Sequence, residues 1–171
     1  MGKVLYNAFA KFLGVSALAS DEKKRIGINE VRAMAIRSEI GAARVYEALA
    51  ELTENEEMKK LFLTLAREEW GHKEVVERLI NEKTLSPVVE LPEEIVTEFA
   101  VLYENAERLL SPETTAKDVV DVALRAELAS EKFYAHLIDY AKDEKARSAL
   151  QMLANMERDH YSRLMTWRLL L

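Results

Sequence analysis

The chain has 171 residues, 49% hydrophobic and 32% charged, enough to bury one sizeable core and cover it with charge, which excludes disorder. It carries no cysteine, which excludes disulfide scaffolds, cysteine nucleophiles, zinc fingers and cysteine-ligated iron–sulfur or rubredoxin-type centres. A net charge of −6 argues against nucleic acid as a partner, and five glycines with three prolines are too few for an all-β sandwich or barrel. No apolar run is long enough to span a membrane.

In chain order, Met1-Gly2-Lys3 leads into an apolar stretch to Leu18, and Ala17-Leu18-Ala19 before Ser20 loosely resembles a secretory cleavage site. Asn7 and Lys11 interrupt that stretch. The expectation is therefore a helical extension over residues 1–27, with a short amphipathic helix carrying Leu5, Phe9, Phe12 and Leu13, in a cytoplasmic protein. From Asn29 to about Leu52, the positions Ala35, Glu39, Ala42, Ala43, Tyr46, Leu49 and Ala50 fall on one helical stripe. Thr53 with Glu56 has the spacing of a capping box and predicts a second helix from about 54 to 82, with Met58, Leu61, Leu65, Glu69, His72, Val76 and Leu79 inward.

Pro87 and Pro92 mark a connection without long regular structure, followed by a shorter helix from Glu93 to Leu110 that Ser111-Pro112 stops. Thr115 with Asp118 predicts a further long helix to about Ala141, with Ala123, Glu127, Ser130, Tyr134, Leu137 and Ile138 inward. Asp143 caps a last one, whose stripe is Leu150, Leu153, Glu157, His160, Leu164 and Trp167. The result is a single all-α domain over residues 1–171. Two antiparallel hairpins, 29–82 and 116–171, are joined by a crossover over 83–115, which makes a four-helix bundle of the one-crossover type.

The two hairpins echo one another at an offset of 88 residues without a gap. Glu39 maps to Glu127, Tyr46 to Tyr134, Glu69 to Glu157 and His72 to His160, and Ala35, Arg37, Leu49, Leu65 and Ala66 also find identical partners. Repeated leucines preserve packing; repeated carboxylates and imidazoles on a buried stripe preserve chemistry. Residues three apart share a helix face, so Glu69 points with His72 and Glu157 with His160. Four buried carboxylates facing one another must either protonate or be held by cations. Two divalent ions balance four glutamates, and one Glu from each of two helices plus Glu-x-x-His from each of the other two is the carboxylate-bridged dimetal set. Glu68 and the third histidine, His136, fall off the metal-facing stripe, and His136 maps to Ala48.

On Glu39, Glu69-Trp70-Gly71-His72, Glu127 and Glu157-Arg158-Asp159-His160, the chain resembles the ferritin-like superfamily and, within it, the rubrerythrin family over about residues 29–82 and 116–168. The resemblance implies a ferritin-like fold with two iron ions. Glu69 and Glu157 would bridge them, Glu39 and Glu127 would be terminal ligands, and His72 and His160 would complete the set. It also implies that Tyr46 and Tyr134 hydrogen-bond carboxylate ligands, the alternative being aromatic core packing. Two features depart from the family pattern. Its additional glutamate, three residues after the terminal ligand, is Ser130 here; the adjacent Glu131 either leans in as a ligand or is an exposed glutamate. No cysteine is present to build a rubredoxin domain, so electrons would come from a separate donor such as a rubredoxin.

The leading expectation is a di-iron oxidoreductase that reduces hydrogen peroxide, in a homodimer or higher homo-oligomer. One alternative is a ferroxidase that oxidises iron with dioxygen for storage, as in ferritins and bacterioferritins. The other is a metal-stabilised structural bundle without turnover. The donor set also accepts manganese or zinc.

Overall fold

The structure is a computed structural model and describes residues 23–105 and 115–169. Strand β1 (Lys23–Gly27) leads into helix α1 (Ile28–Leu52), which turns back through three residues into α2 (Glu56–Leu79). The crossover then supplies β2 (Val88–Pro92) and α3 (Glu93–Asn105). Helix α4 (Ala116–Leu137), a 3-10 turn at Ile138–Tyr140 and α5 (Glu144–Arg168) complete the second hairpin. This is the all-α four-helix bundle that the helical stripes predict. Among the described residues no helix is long and apolar enough to cross a membrane.

The internal repeat extends to how the helices begin. Asn55 and Asp143, which are 88 residues apart, are the N-caps of the second helix of each hairpin. Asn55 Oδ1 accepts from the backbone N–H of Glu57 and Met58 at 3.0 and 3.1 Å, and Asp143 Oδ1 accepts from Ala146 at 2.7 Å. Each satisfies donors that the first turn of a helix leaves without partners. Thr115 and Asp118, where this helix was expected to start, form a capping box at the beginning of α4.

The expected box at Thr53 does not form. Thr53 instead closes α1 with its N–H on Leu49 O at 3.1 Å, because Asn55 stands nearer the start of α2 and caps it. Helix α2 ends at Leu79 rather than near 82, since the Thr84 hydroxyl donates to the Leu79 carbonyl. Helix α4 ends at Leu137, before the expected Ala141, where the chain tightens into the 3-10 turn.

The sequence did not anticipate the ribbon. β1 pairs antiparallel with β2 in the register Ile26↔Val89, and Ile26, Val89 and Leu91 turn inward onto the bundle. Residues 23–27 are thus extended rather than helical, while the amphipathic helix expected near residues 5–13 lies outside the described residues, as does the end of α3 expected at 106–110. Tyr140 ties the ribbon to the second hairpin: its hydroxyl lies 3.2 Å from both the N–H and the carbonyl of Glu90.

Buried side chains gather in two apolar clusters. One, towards the ribbon, includes Ala35, Val76, Phe133 and Leu153; the other includes Leu49, Phe62, Ala123 and Leu164. Tyr134 belongs to the first and Tyr46 to the second. The Glu and His positions of the stripes fall between these clusters in sequence on every long helix, so the polar residues form a layer inside the bundle. Replacing either cap, Asn55→Ala or Asp143→Ala, should destabilise the chain by about 1 kcal/mol in urea unfolding. Metal content should not change, because neither cap touches the polar layer.

Candidate metal centre

Each long helix carries its part of the polar layer on the face its apolar neighbours bury. Glu39, Glu69, Glu127 and Glu157 are at most 2% exposed, and His72 and His160 are as deeply buried. The Glu-x-x-His spacing places each pair of α2 and α5 on one face one turn apart. The two imidazoles stack with centroids 5.1 Å apart and planes within 12°. Both turn Nδ1 towards the carboxylates.

The distances divide the cluster into two half-sites. His72 Nδ1 lies 3.0 Å from Glu157, 3.3 Å from Glu69 and 3.5 Å from Glu39. His160 Nδ1 lies 2.6 Å from Glu69, 3.5 Å from Glu127 and 3.9 Å from Glu157. Glu69 and Glu157 therefore neighbour both rings, whereas Glu39 goes with His72 and Glu127 with His160. Each ring sits closest to the shared glutamate of the other hairpin. One ligand atom from each of Glu69, His72, Glu157 and His160 lies within 4.8 Å of all the others.

These atoms are close without hydrogen-bonding to one another. Among the described residues His72 Nδ1, His160 Nδ1, Glu69 Oε1, Glu127 Oε2 and Glu157 Oε1 are buried without a hydrogen-bond partner. Buried polar atoms are nearly always satisfied, and lone pairs converging on one space without donors call for a shared cation. A mixed oxygen and nitrogen donor set of this kind suits a divalent transition metal.

The tyrosines cross between hairpins. The Tyr46 hydroxyl on α1 donates to Glu127 Oε1 on α4, and the Tyr134 hydroxyl on α4 donates to Glu39 Oε1 on α1. Burial, with the neighbouring carboxylates, raises both phenols well above their ordinary pKa, so they stay protonated and donating. They are thus both core aromatics and carboxylate partners.

Other candidate residues lie elsewhere. Glu131 does not join the cluster; its Oε1 accepts from Arg158 Nε at 2.8 Å. Ser130 is buried, with its hydroxyl 3.3 Å from that of Ser38. His136 is half-buried away from the cluster, its Nε2 2.7 Å from the carbonyl of Glu90 on β2. Glu68, placed off the stripe by its periodicity, does reach the site from behind: its Oε2 is 3.1 Å from His160 Nε2. The repeat could not flag it, because its counterpart is Met156.

A one-crossover helical bundle with a buried four-carboxylate, two-imidazole cluster is a ferritin-like metal-binding protein of the di-iron carboxylate class. The Rubrerythrin family pattern matches residues 30–167, and the chain belongs to that family. It is also similar to the solved structure of a hypothetical protein from Pyrococcus furiosus, with 26% identity and a TM-score of 0.63 over 85% of this chain and 90% of the other. No protein of curated function matches it.

Without cations the folded cluster holds extra protons. Burial, with Glu69 beside it, pushes Glu39 up to about 8, and burial with three facing carboxylates raises Glu157. Against the pull of burial, Glu127 and Glu69 hold His160 up at about 10. Groups raised by folding add stability that is complete below their unfolded pKa and lost as pH rises through the folded value. Glu69 acts oppositely: against burial, the two imidazoles hold it down at about 2, so its contribution is lost only as pH falls towards that value. The metal-free chain should therefore melt highest near pH 5 and lose stability as pH rises through about 8 towards about 10. The metal-loaded chain should gain stability from about pH 5 to 8, because cations bind deprotonated ligands. Melting curves with and without chelator across this range check both slopes.

Proposed function

We propose that this chain is a di-iron oxidoreductase that reduces hydrogen peroxide to water with electrons from a separate donor protein such as a rubredoxin. The observation that supports this reading is the convergence of four buried glutamates and two imidazole Nδ1 atoms, five of whose nitrogen and oxygen atoms have no hydrogen-bond partner among the described residues. In this reading Glu69 and Glu157 would be the shared ligands, Glu39 with His72 would hold one ion, and Glu127 with His160 would hold the other. Two ferrous ions held there would supply the two electrons that, with two protons, convert one hydrogen peroxide into two waters.

The chain's own residues provide the setting. The apolar clusters flanking the polar layer exclude bulk water, which strengthens every charge interaction inside it. Tyr46 and Tyr134 fix one oxygen of Glu127 and of Glu39, leaving the other oxygen of each for a cation. The sequence has no cysteine to hold a rubredoxin-type iron, which is why the donor is assigned to another protein.

Metal analysis of anaerobically purified protein should find two irons per chain. Rapid mixing with peroxide should oxidise them faster than dioxygen does, and a reduced rubredoxin should restore the ferrous state. Faster oxidation by dioxygen, with iron retained in a large hollow particle, would favour storage instead. Glu69→Ala and Glu157→Ala should lower the metal-to-protein ratio to similar extents, because each removes one shared ligand and one balancing charge. His136→Ala should keep both ions. Tyr46→Phe should weaken metal affinity or turnover about 10-fold.

A further inference from the structure

The repeat that matches ligand to ligand fails one layer further out. Glu68 on α2 is half-buried, and its Oε2 lies 3.1 Å from His160 Nε2 and 2.5 Å from the Arg163 guanidinium. Arg163 also pairs with Asp159, one turn before it on α5, at 2.9 Å. With Nδ1 turned to the carboxylates, His160 Nε2 carries the hydrogen and donates it to Glu68. Eighty-eight residues away, the counterpart of Glu68 is Met156, that of Arg163 is Val75 and that of Asp159 is Gly71. None can accept a hydrogen bond through a carboxylate or present a charge. Correspondingly, His72 Nε2 is buried without a hydrogen-bond partner among the described residues. Both rings turn Nδ1 to the cluster, but among the described residues only His160 is held from behind.

A carboxylate on the far nitrogen of a metal-ligating histidine fixes its tautomer and ring orientation and raises the basicity of the ligating nitrogen. The His72 ring, whose Nε2 has no such partner among the described residues, gains none of this. We propose that Glu68 is a positioning residue that makes the two metal positions unequal, so that the position at His160 and Glu127 takes its divalent cation first and more tightly than the position at His72 and Glu39. The proposal rests on the dimetal reading above and adds an order of loading to it. Arg163 holds Glu68 in place and offsets its charge, so the effect acts through orientation and hydrogen bonding rather than through added negative charge.

The test is anaerobic calorimetric titration of the full-length, chelator-stripped chain with Mn(II), followed in parallel by electron paramagnetic resonance. The wild-type chain should bind two ions in two steps separated by more than the statistical factor for identical sites. The signal of an isolated ion should appear at the first step and give way to that of a coupled pair at the second. Glu68→Gln should weaken the first step about 10- to 100-fold and leave the second nearly unchanged. A general loss of packing would instead weaken both steps together. Met156→Glu, which restores a carboxylate at the repeat-related position, should tighten the second step and narrow the gap. Two ions bound in indistinguishable steps, or Glu68→Gln leaving both steps unchanged, would overturn the inequality while leaving the dimetal reading intact. Binding of fewer than two ions by the wild-type chain would overturn the dimetal reading itself.

Discussion

Four carboxylates within one water-poor layer repel one another, and the arrangement of the residues around that layer answers to the repulsion. In a medium less polarisable than water, each like-charge pair at these distances costs several times what it would at the surface. The folded chain has two ways to relieve it. Protons can neutralise part of the cluster, as the raised Glu39 and Glu157 indicate. Divalent cations can neutralise all of it, using the same lone pairs. The second route leaves every glutamate ionised and every Nδ1 lone pair occupied, and the buried atoms that lack hydrogen-bond partners are arranged for it.

Neither hairpin can build this layer alone. A single hairpin brings together a Glu, a Glu-x-x-His pair and a tyrosine, but its tyrosine hydroxyl reaches the carboxylate of the other hairpin. Each imidazole likewise lies closest to the shared glutamate of the other hairpin, His72 to Glu157 and His160 to Glu69. The apolar clusters tolerate modest sliding of one hairpin on the other, because hydrophobic contact is not directional. Hydrogen bonds and coordination are directional, so the polar layer sets the register in which the clusters pack.

Most of this was legible in the sequence because it is periodic. Helical stripes mark the inward faces, and the offset of 88 residues identifies Glu39, Glu69, His72, Glu127, Glu157 and His160 as a set before any contact is known. What escaped is what periodicity does not encode. The ribbon joins Lys23–Gly27 to Val88–Pro92, two five-residue segments too short for a strand pattern and brought together only by the crossover. Thr53 and Asn55 are both good caps, and spacing alone favoured the wrong one. That each tyrosine would partner the opposite hairpin depends on how the helices face one another. Glu68 lies one residue before Glu69 and has Met156 as its counterpart in the repeat, so the packing of α2 on α5 is what brings it to His160.

The departures from two-fold likeness all lie outside the six-residue set, and charge explains why. Four ionised glutamates and two neutral imidazoles carry four negative charges, which two divalent ions would cancel. A fifth ionised carboxylate inside the layer would break that balance at the low polarity of the site. Where the resemblance to rubrerythrins leads one to expect such a glutamate, this chain has Ser130, neutral and hydrogen-bonded to Ser38, while Glu131 is drawn off by Arg158. Glu68 and Glu131 both have an arginine partner, so neither brings an uncompensated charge to the cluster. The inner set is constrained by neutrality, and the surrounding layer can differ between the halves only where each added charge arrives with its counter-charge.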